Sequence, residues 1–154
     1  MSDIFEFIEF LNFAQKIFDE RRMLVSSSNF SDQCLYRVVI NRCYYAAFNH
    51  AKTWLNIEQG FETRIFDENK GKSVNKDGKS EHVLVYEELK NVANNQSSRL
   101  KSKFHSSSSK LENLFKKRVT ADYKENLFKE QEVRDAIISA KSIIDFLEYG
   151  MDCN

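Results

Sequence analysis

A stretch from residue 37 to residue 52 combines side chains able to do chemistry with the pattern of a helix. It reads RVVINRCYYAAFNHAK and contains neither glycine nor proline. Arg42 and Asn49 are seven residues apart, which is about 700° around a helix, so the two side chains share one face. Val38 and Tyr45 lie on or beside that face. Because burying an unpaired charge is costly, Arg42 must pair with a core carboxylate, line a pocket or lie at a subunit interface.

Arg42 therefore allows two interpretations. In the first, its guanidinium lies in a polar pocket and binds a phosphate or a carboxylate bidentately, while Asn49 orients a neighbouring group. In the second, Arg42 forms a buried ion pair with an aspartate that fixes the register of the helices. Asp122 is the most attractive partner for such a pair across the bundle.

The segment from Arg118 to Tyr123, RVTADY, carries a second set of polar residues. An arginine and an aspartate four residues apart are neighbours on one helix face, so Arg118 and Asp122 can pair. Tyr123 follows directly, and its ring can pack while its hydroxyl enters a polar network. The simpler interpretation is structural, a salt bridge beside an anchoring tyrosine.

Two histidines are candidates for acid–base chemistry. His82 lies in the predicted first turn of a helix capped by Ser80, and it either stays on the surface or reaches the Arg42 pocket. His105 closes the basic stretch that begins at Arg99 and reads RLKSKFH. That stretch is suited to contact a nucleic-acid backbone, or it is simply a solvated run of charges.

Other chemistries lack their patterns. The histidines at 50, 82 and 105 have no short metal-ligand spacing, and the Glu-x-x-His pairs of di-iron bundles are absent. There is no glycine-rich phosphate loop and no Gly-x-Ser-x-Gly elbow. Cys34 and Cys43 would lie roughly opposite each other on one helix, so they are expected to be reduced thiols. We therefore predict no metal and no cofactor.

Composition sets broader limits. The 154 residues suit a single domain spanning 1–154, and a hydrophobic fraction of 42% is enough for a real core. Zero formal net charge excludes the overall basic character of a dedicated DNA binder, although a local basic patch is still compatible. No apolar run approaches the ~20 residues of a membrane span, and the first ten residues carry acidic but no basic side chains. We expect no membrane association and a cytoplasmic location.

The positions of glycine and proline predict an all-α protein. Proline is absent, and three of the four glycines fall between residues 60 and 78. Helices are predicted at about 3–24, 32–56, 80–94, 110–120 and 129–149, with capping by Asp3 and Glu6, by Ser31 or Asp32, and by Ser80. Residues 57–79 are predicted to be a polar loop, and residues 94–109 are ambiguous. The expected architecture is an up-and-down bundle of four to five helices, with pairing into a dimer as a further expectation.

Taken in order, these segments resemble those of the HEPN family, a nucleotide-binding helical domain shared by higher eukaryotes and prokaryotes. The resemblance rests on Arg-x-Tyr-Tyr-Ala-x-Phe at 42–48, Ser-x-His at 80–82, Arg-x-x-Ala-Asp-Tyr at 118–123 and a closing amphipathic helix. It covers nearly the whole chain and is closest to a small prokaryotic subgroup. Each motif alone is weak, whereas the ordered set is fairly specific.

The resemblance implies a helical bundle that usually forms a homodimer. Many members are metal-independent ribonucleases whose composite site places an arginine and a histidine of each protomer at the dimer interface. Others are toxins paired with a nucleotidyltransferase antitoxin, or modules that bind nucleotide or RNA without cleaving it, often in bacterial defence. This chain departs from the catalytic pattern, because Asn49 stands where many relatives carry histidine and Asp122 follows Arg118 where ribonuclease members place one.

Three hypotheses result. A non-catalytic module would bind RNA, nucleotide, a nucleotidyltransferase or another defence protein, and this one is favoured because the motif histidine is missing. A ribonuclease would use its arginines against the phosphorane charge and one histidine as acid or base, with Asp122 orienting. A purely structural dimer would use the same polar network to hold its helices. The residues proposed for catalysis are Arg42, Arg118, His82 and His105, and those proposed for the binding or polar network are Arg37, Tyr45, Asn49, Asp122 and Tyr123.

Overall fold

The computed structural model describes residues 6–150 as a bundle of five helices with one small two-stranded sheet. The helices are α1 Ile8–Ser27, α2 Asp32–Gln59, α3 Glu81–Asn94, α4 Ser98–Tyr123 and α5 Glu130–Tyr149. The strands are β1 Arg64–Asp67 and β2 Lys72–Asn75, followed by a short 3-10 helix at Lys76–Gly78. The prediction of a helical bundle is therefore correct at this level, with the hairpin as an addition.

Caps explain where the helices begin and end. The hydroxyl of Ser31 accepts a hydrogen bond from the backbone N–H of Cys34, and Ser80 accepts one from Val83, so both predicted serine caps are present. Helix α2 ends at Gly60, whose φ of 60° belongs to the left-handed region that favours glycine. The helix therefore ends three residues beyond the predicted end at residue 56. The predicted Asp3 cap of α1 lies outside the described residues, and α1 extends to Ser27 rather than to residue 24.

The segment 57–79, predicted to be a polar loop, contains a short hairpin. Strands β1 and β2 pair in antiparallel register, with Arg64 opposite Asn75 and Asp67 opposite Lys72. Both strands are largely exposed, so neither face produces the alternation of apolar and polar residues that would reveal a strand. The Thr63 carbonyl accepts a hydrogen bond of 2.9 Å from the backbone N–H of Lys76 and so closes the base of the hairpin. The Thr63 side chain is buried and its hydroxyl donates to Glu81 of α3 at 2.7 Å, which holds the hairpin to the bundle.

The fourth helix is much longer than the predicted 110–120. Helix α4 continues through the four serines at 106–109, within the segment that the sequence leaves ambiguous. Phe104, Leu111 and Leu114 are buried on one stripe, and Ser107 and Ser108 are buried within it. The Ser108 hydroxyl donates to the Tyr86 carbonyl of α3 at 2.6 Å. Small serines thus allow α3 and α4 to approach closely, which a hydrophobicity pattern does not reveal.

Helix α2 is the centre of the bundle and contacts each of the other four helices. Its buried side chains include Val39, Ile40, Tyr44 and Leu55, and the apolar stripe of α5 packs against them. Segment 124–129 leads from α4 to α5 and is tied to the first turn of α2, because Gln33 exchanges two hydrogen bonds with the backbone of Phe128, at 2.7 and 2.8 Å.

None of the helices between residues 6 and 150 has the length and apolar character needed to cross a membrane.

Candidate functional site

Arg118 is the centre of a polar network between α2 and α4. Its terminal nitrogen donates a hydrogen bond of 2.9 Å to the Tyr45 hydroxyl, and its Nε lies 2.9 Å from the Asp122 carboxylate. This is the pair that the spacing predicts. The buried Nε–H is not directed at the carboxylate oxygen, so the contact is an ion pair without an aligned hydrogen bond. The Asn41 amide donates to both carboxylate oxygens of Asp122, at 3.1 and 3.3 Å.

Arg37 is committed to the end of α4. Its guanidinium donates to the carbonyls of Thr120 at 3.4 Å, of Asn126 at 2.8 Å and of Ala121. The last carbonyls of a helix have no partner within the helix and carry the negative end of its dipole, so a cation there is stabilising. The same guanidinium lies over the Phe128 ring. Arg37 therefore acts as a C-terminal cap supplied by another helix.

Arg42 differs from the other two arginines. Its guanidinium carbon lies 5.2 Å from the centre of the Phe10 ring, which is a cation–π contact. Among residues 6–150, no carboxylate pairs with it and no group accepts a hydrogen bond from its side chain. The expected Arg42–Asp122 pair does not form, because Asp122 is already engaged by Arg118, one helical turn away on α4, and by Asn41.

Arg42 instead lines an open pocket of about 290 Å³ on the surface between α2 and α4. We call this the arginine pocket; it is lined by Arg37, Val38, Asn41, Arg42 and Asp122. Of the two interpretations of Arg42, the structure excludes the ion pair with Asp122 and has the guanidinium lining a pocket.

His82 lies close to this network but inside an aromatic cluster. Its ring is stacked on Phe115, with ring centres 5.1 Å apart, and it also contacts Phe48 and Tyr44. Burial lowers the pKa of His82 below its ordinary value, and the nearby positive charge of Arg118 lowers it further. His82 is therefore held as the neutral imidazole and is not a surface residue.

Tyr44 is the hydrogen-bond partner of His82. Its hydroxyl lies 2.5 Å from Nδ1 of His82. Burial raises the pKa of Tyr44 above its ordinary value, so the hydroxyl keeps its proton. The tautomer of the His82 ring decides which of the two groups is the donor. Tyr44 also meets Tyr45 edge-on, with ring centres 5.2 Å apart. Through these two tyrosines, His82 and Arg118 belong to one connected cluster.

The remaining predicted residues are placed elsewhere. Asn49 is about 10 Å along α2 from Arg42 and lines a different cleft, of about 470 Å³, near the base of the hairpin. His105 precedes Arg118 by thirteen residues on α4, about 20 Å along the axis, so it takes no part in the network. The Tyr123 ring lies 5.8 Å from the Arg118 guanidinium and is 74% exposed, so it is not a buried anchor.

Sequence reasoning missed two contributors near these sites. Asn41 donates hydrogen bonds to Asp122. The one indication in the sequence was that this polar residue directly precedes Arg42. Glu81 accepts hydrogen bonds from Thr63 at 2.7 Å and from Lys52 at 3.1 Å, and these contacts lower its pKa, the Thr63 bond most of all. The Thr63 bond joins the hairpin to the start of α3, and no sequence pattern indicates it.

The described residues contain no cluster of three or more histidine, cysteine, aspartate or glutamate side chains that could hold a metal ion. Cys34 is exposed and Cys43 is buried, and both are free thiols. Burial raises the pKa of Cys43 to about 12, so this thiol stays protonated and unreactive at neutral pH.

Comparison with known proteins gave no match to a family model, to a curated protein or to a solved structure.

Proposed function

We propose that this protein is a HEPN-type helical module that binds the phosphate of a nucleotide or an RNA strand at the arginine pocket. The proposal combines the ordered motifs of the sequence with one structural observation, the state of Arg42. Its guanidinium lines an open pocket without an ion pair among residues 6–150, while Arg37 and Arg118 are committed to internal partners. A guanidinium is suited to bidentate recognition of a phosphate group.

The charge around the arginine pocket supports an anionic ligand. Arg37, Arg42 and Arg118 supply three positive charges and Asp122 supplies one negative charge, so the local balance is 3 − 1 = +2. Because Asp122 is paired with Arg118, its carboxylate repels an incoming phosphate less than a free one would.

Tyr123 adds a surface for a base. Its ring is 74% exposed, and it lies under the Arg118 guanidinium that holds Asp122 on the wall of the arginine pocket. Bases of single-stranded RNA commonly stack on exposed aromatic rings, and each such contact contributes about 1–3 kcal/mol. A single RNA strand would then place a phosphate at Arg42 and a base on Tyr123.

Binding is favoured over cleavage because the arginine pocket lacks an acid–base group near neutral pH. No histidine of the described residues lines it. His82 is half-buried against aromatic rings and its Nδ1 is hydrogen-bonded to Tyr44. The Asp122 carboxylate is already held by Arg118 and Asn41.

A ribonuclease is the second candidate function, and one observation favours it. His82 is close enough to Arg118 for the arginine charge to lower the pKa of the imidazole. A neutral histidine beside an arginine is a suitable base for a ribose hydroxyl. Cleavage would require that the substrate reach His82 through the aromatic cluster.

The proposed function is tested by titrating a fluorescent single-stranded RNA with the protein and with Arg42→Ala, in EDTA and at two salt concentrations. We expect Arg42→Ala to weaken binding about tenfold and to reduce the salt dependence by about one counterion, as the loss of one phosphate contact requires. ATP competition determines whether a free nucleotide occupies the same pocket.

Arg22→Ala is the matched control, because Arg22 is exposed on α1 and its side chain has no contact among the described residues. It should bind as the unaltered protein does. Failure to bind RNA or nucleotide, or an equal loss in both variants, would refute the proposed site. Cleavage in EDTA that His82→Gln abolishes would establish the ribonuclease instead.

We also propose that the protein forms a homodimer and meets a nucleotidyltransferase or another defence protein, as the family resemblance implies. Large apolar side chains are exposed on α1 and α5, including Phe13 at 54% and Ile138 at 64%, and a second copy would cover such groups. Sedimentation at several concentrations tests the dimer, since a monomer throughout would exclude it. Co-purification with a nucleotidyltransferase encoded by a neighbouring gene tests the partner.

A further inference from the structure

Another cleft, of about 680 Å³, lies between α4 and α5 and shares no residue with the arginine pocket. We call it the lysine cleft after three lysines and three serines on its walls: Lys103, Ser106, Ser107, Lys110, Lys141 and Ser142. Ligand sites typically have volumes of about 300–1,000 Å³, so this cleft is large enough for a small organic anion.

The helix period explains why these side chains converge. Positions 103, 106, 107 and 110 form one face of α4, and positions 142, 145, 146 and 149 form the facing stripe of α5. Where leucines would fill the space between two helices, α4 carries Ser106 and Ser107. The cleft is therefore a consequence of the serine run, whose small side chains leave the space open.

The lysines of the cleft form no ion pair with any carboxylate of residues 6–150. Lys110 Nζ donates to the Ser142 hydroxyl at 2.8 Å, and Lys103 Nζ lies 5.7 Å from the centre of the Phe146 ring. Within residues 6–150, none of the three lysines forms an ion pair, although ten such pairs occur elsewhere in this part of the chain. Asp145 is the one acidic side chain among the described residues that line the cleft, so their formal charges sum to 3 − 1 = +2.

The spacing of the lysines indicates the size of the anion. Lys103 and Lys110 are seven residues apart on one face, about 10 Å along the axis of α4, and Lys141 faces them from α5. A diphosphate presents more acceptor oxygens than a single phosphate, so it can engage ammonium groups at both ends of such an array and the hydroxyl donors between them. One end of the cleft is lined by Phe146 and Tyr149, whose rings offer a flat apolar surface.

We propose that the lysine cleft binds a ligand carrying a diphosphate group. The three lysines supply charge-assisted hydrogen bonds to the phosphate oxygens, and the serines supply neutral donors between them. The aromatic end receives whatever group the diphosphate carries. This site does not depend on the arginine pocket, so it stands or falls separately from the proposed function.

Isothermal titration of the full chain tests the proposal with three probes: inorganic pyrophosphate, ADP and adenosine. Pyrophosphate and ADP should bind, and adenosine should bind at least tenfold more weakly because it has no phosphate. If ADP binds more tightly than pyrophosphate, the aromatic end of the cleft contacts the adenine base. If the two affinities are equal, the cleft recognises the diphosphate group alone.

Lys110→Ala should weaken ADP and pyrophosphate binding about tenfold, the effect of one lost charge-assisted hydrogen bond. Lys110→Arg should retain most of the affinity. Lys101→Ala is the matched control, because Lys101 is exposed two residues from Lys103, about 200° around α4, and does not line the cleft. The loss caused by Lys110→Ala should be the same in an Arg42→Ala background, where any diphosphate binding at the arginine pocket has been removed, and this separates the two sites.

If Lys110→Ala unfolds, Lys141→Ala replaces it, because Lys141 is exposed and its side chain forms no hydrogen bond or ion pair among residues 6–150. The absence of heat with millimolar pyrophosphate and ADP would overturn the proposal. So would an equal loss in Lys101→Ala, which would reveal a general attraction to lysines rather than a site.

Discussion

Helix α4 takes part in two polar regions of opposite character. At its C-terminal end, Arg118 is bound to Asp122 and Tyr45, and Arg37 of α2 is bound to the last carbonyls of the helix. In its middle, Lys103 and Lys110 face a cleft without any carboxylate partner among the described residues. Charges that are satisfied internally stabilise the fold, whereas cations left unpaired around a cavity are available to a ligand.

The comparison also separates the three arginines near the arginine pocket. Arg37 and Arg118 belong to the first kind of region, and Arg42 belongs to the second although it lies beside them. Substitutions at Arg37 and Arg118 should therefore mainly affect stability, and substitutions at Arg42 and Lys110 should mainly affect binding.

The largest effect on stability is expected for Arg37→Ala. Two carbonyls at the end of α4 and the carbonyl of Asn126 in the following segment lose a charged donor, and the free energy of unfolding should fall by about 2–3 kcal/mol. Urea denaturation followed by circular dichroism measures this change. Arg37→Lys keeps the charge but not the planar guanidinium, so its free energy of unfolding should lie between those of Arg37→Ala and the unaltered protein. A loss no greater than that of Arg22→Ala would show that Arg37 is not a cap.

Arg118→Met should lower the free energy of unfolding by about 1–2 kcal/mol, because Tyr45 loses its donor and Asp122 loses its cation. A double-mutant cycle with Asp122→Asn isolates the pair. We expect the two substitutions together to cost less than the sum of the single ones. Strict additivity would contradict the ion pair as a stabilising contact.

Stability should also fall as the pH decreases through the range of histidine titration. The folded state lowers the pKa of His82, through burial first and Arg118 second, below the ordinary value of about 6.5. The stabilisation is fully present above pH ~6.5 and is lost as the pH falls toward the lowered pKa, because the unfolded chain takes up the proton first. Each such group contributes a slope of at most about 1.4 kcal/mol per pH unit.

Unfolding measured from pH 7.5 to 4.5 should show this decline, and His82→Gln should reduce it. His50 contributes in the same direction, because burial lowers its pKa while Glu148 opposes the shift. His50→Gln is therefore the companion variant. A decline that neither variant alters would assign the pH dependence to other groups.

The smallest effect on stability is expected in the lysine cleft. Lys110→Ala removes one hydrogen bond to Ser142 and should change the free energy of unfolding by less than about 0.5 kcal/mol. The same denaturation series measures it beside Arg37→Ala. A loss comparable with that of Arg37→Ala would mean that Lys110 is structural and would remove the contrast between the two regions.

The sequence predicted those parts of the fold that depend on periodic apolar residues and on caps. Helix α2, its Ser31 cap and the stripe of α5 follow these patterns. The hairpin at 64–75 could not be predicted because its strands are exposed and have no buried face. The N-terminal half of α4 was missed because Ser107 and Ser108 occupy buried positions, where close approach of α3 replaces apolar bulk.

The candidate site was predictable only within one helix. Spacing four residues apart identified Arg118 and Asp122, since local geometry fixes such pairs. The partner of Asp122 across the bundle depends on how α2 is rotated against α4, and Asn41 rather than Arg42 holds that position. Helical spacing likewise put Asn49 on the face of Arg42, but the two residues lie about two turns apart and line separate clefts.

The most direct test of the account is the affinity of RNA for Arg42→Ala and Arg37→Lys, measured side by side in EDTA with folding verified. We predict about tenfold weaker binding for Arg42→Ala, little change for Arg37→Lys, and no cleavage by either protein or by the unaltered chain. Equal affinities for Arg42→Ala and the unaltered chain would contradict the assignment of Arg42 as the ligand-binding arginine.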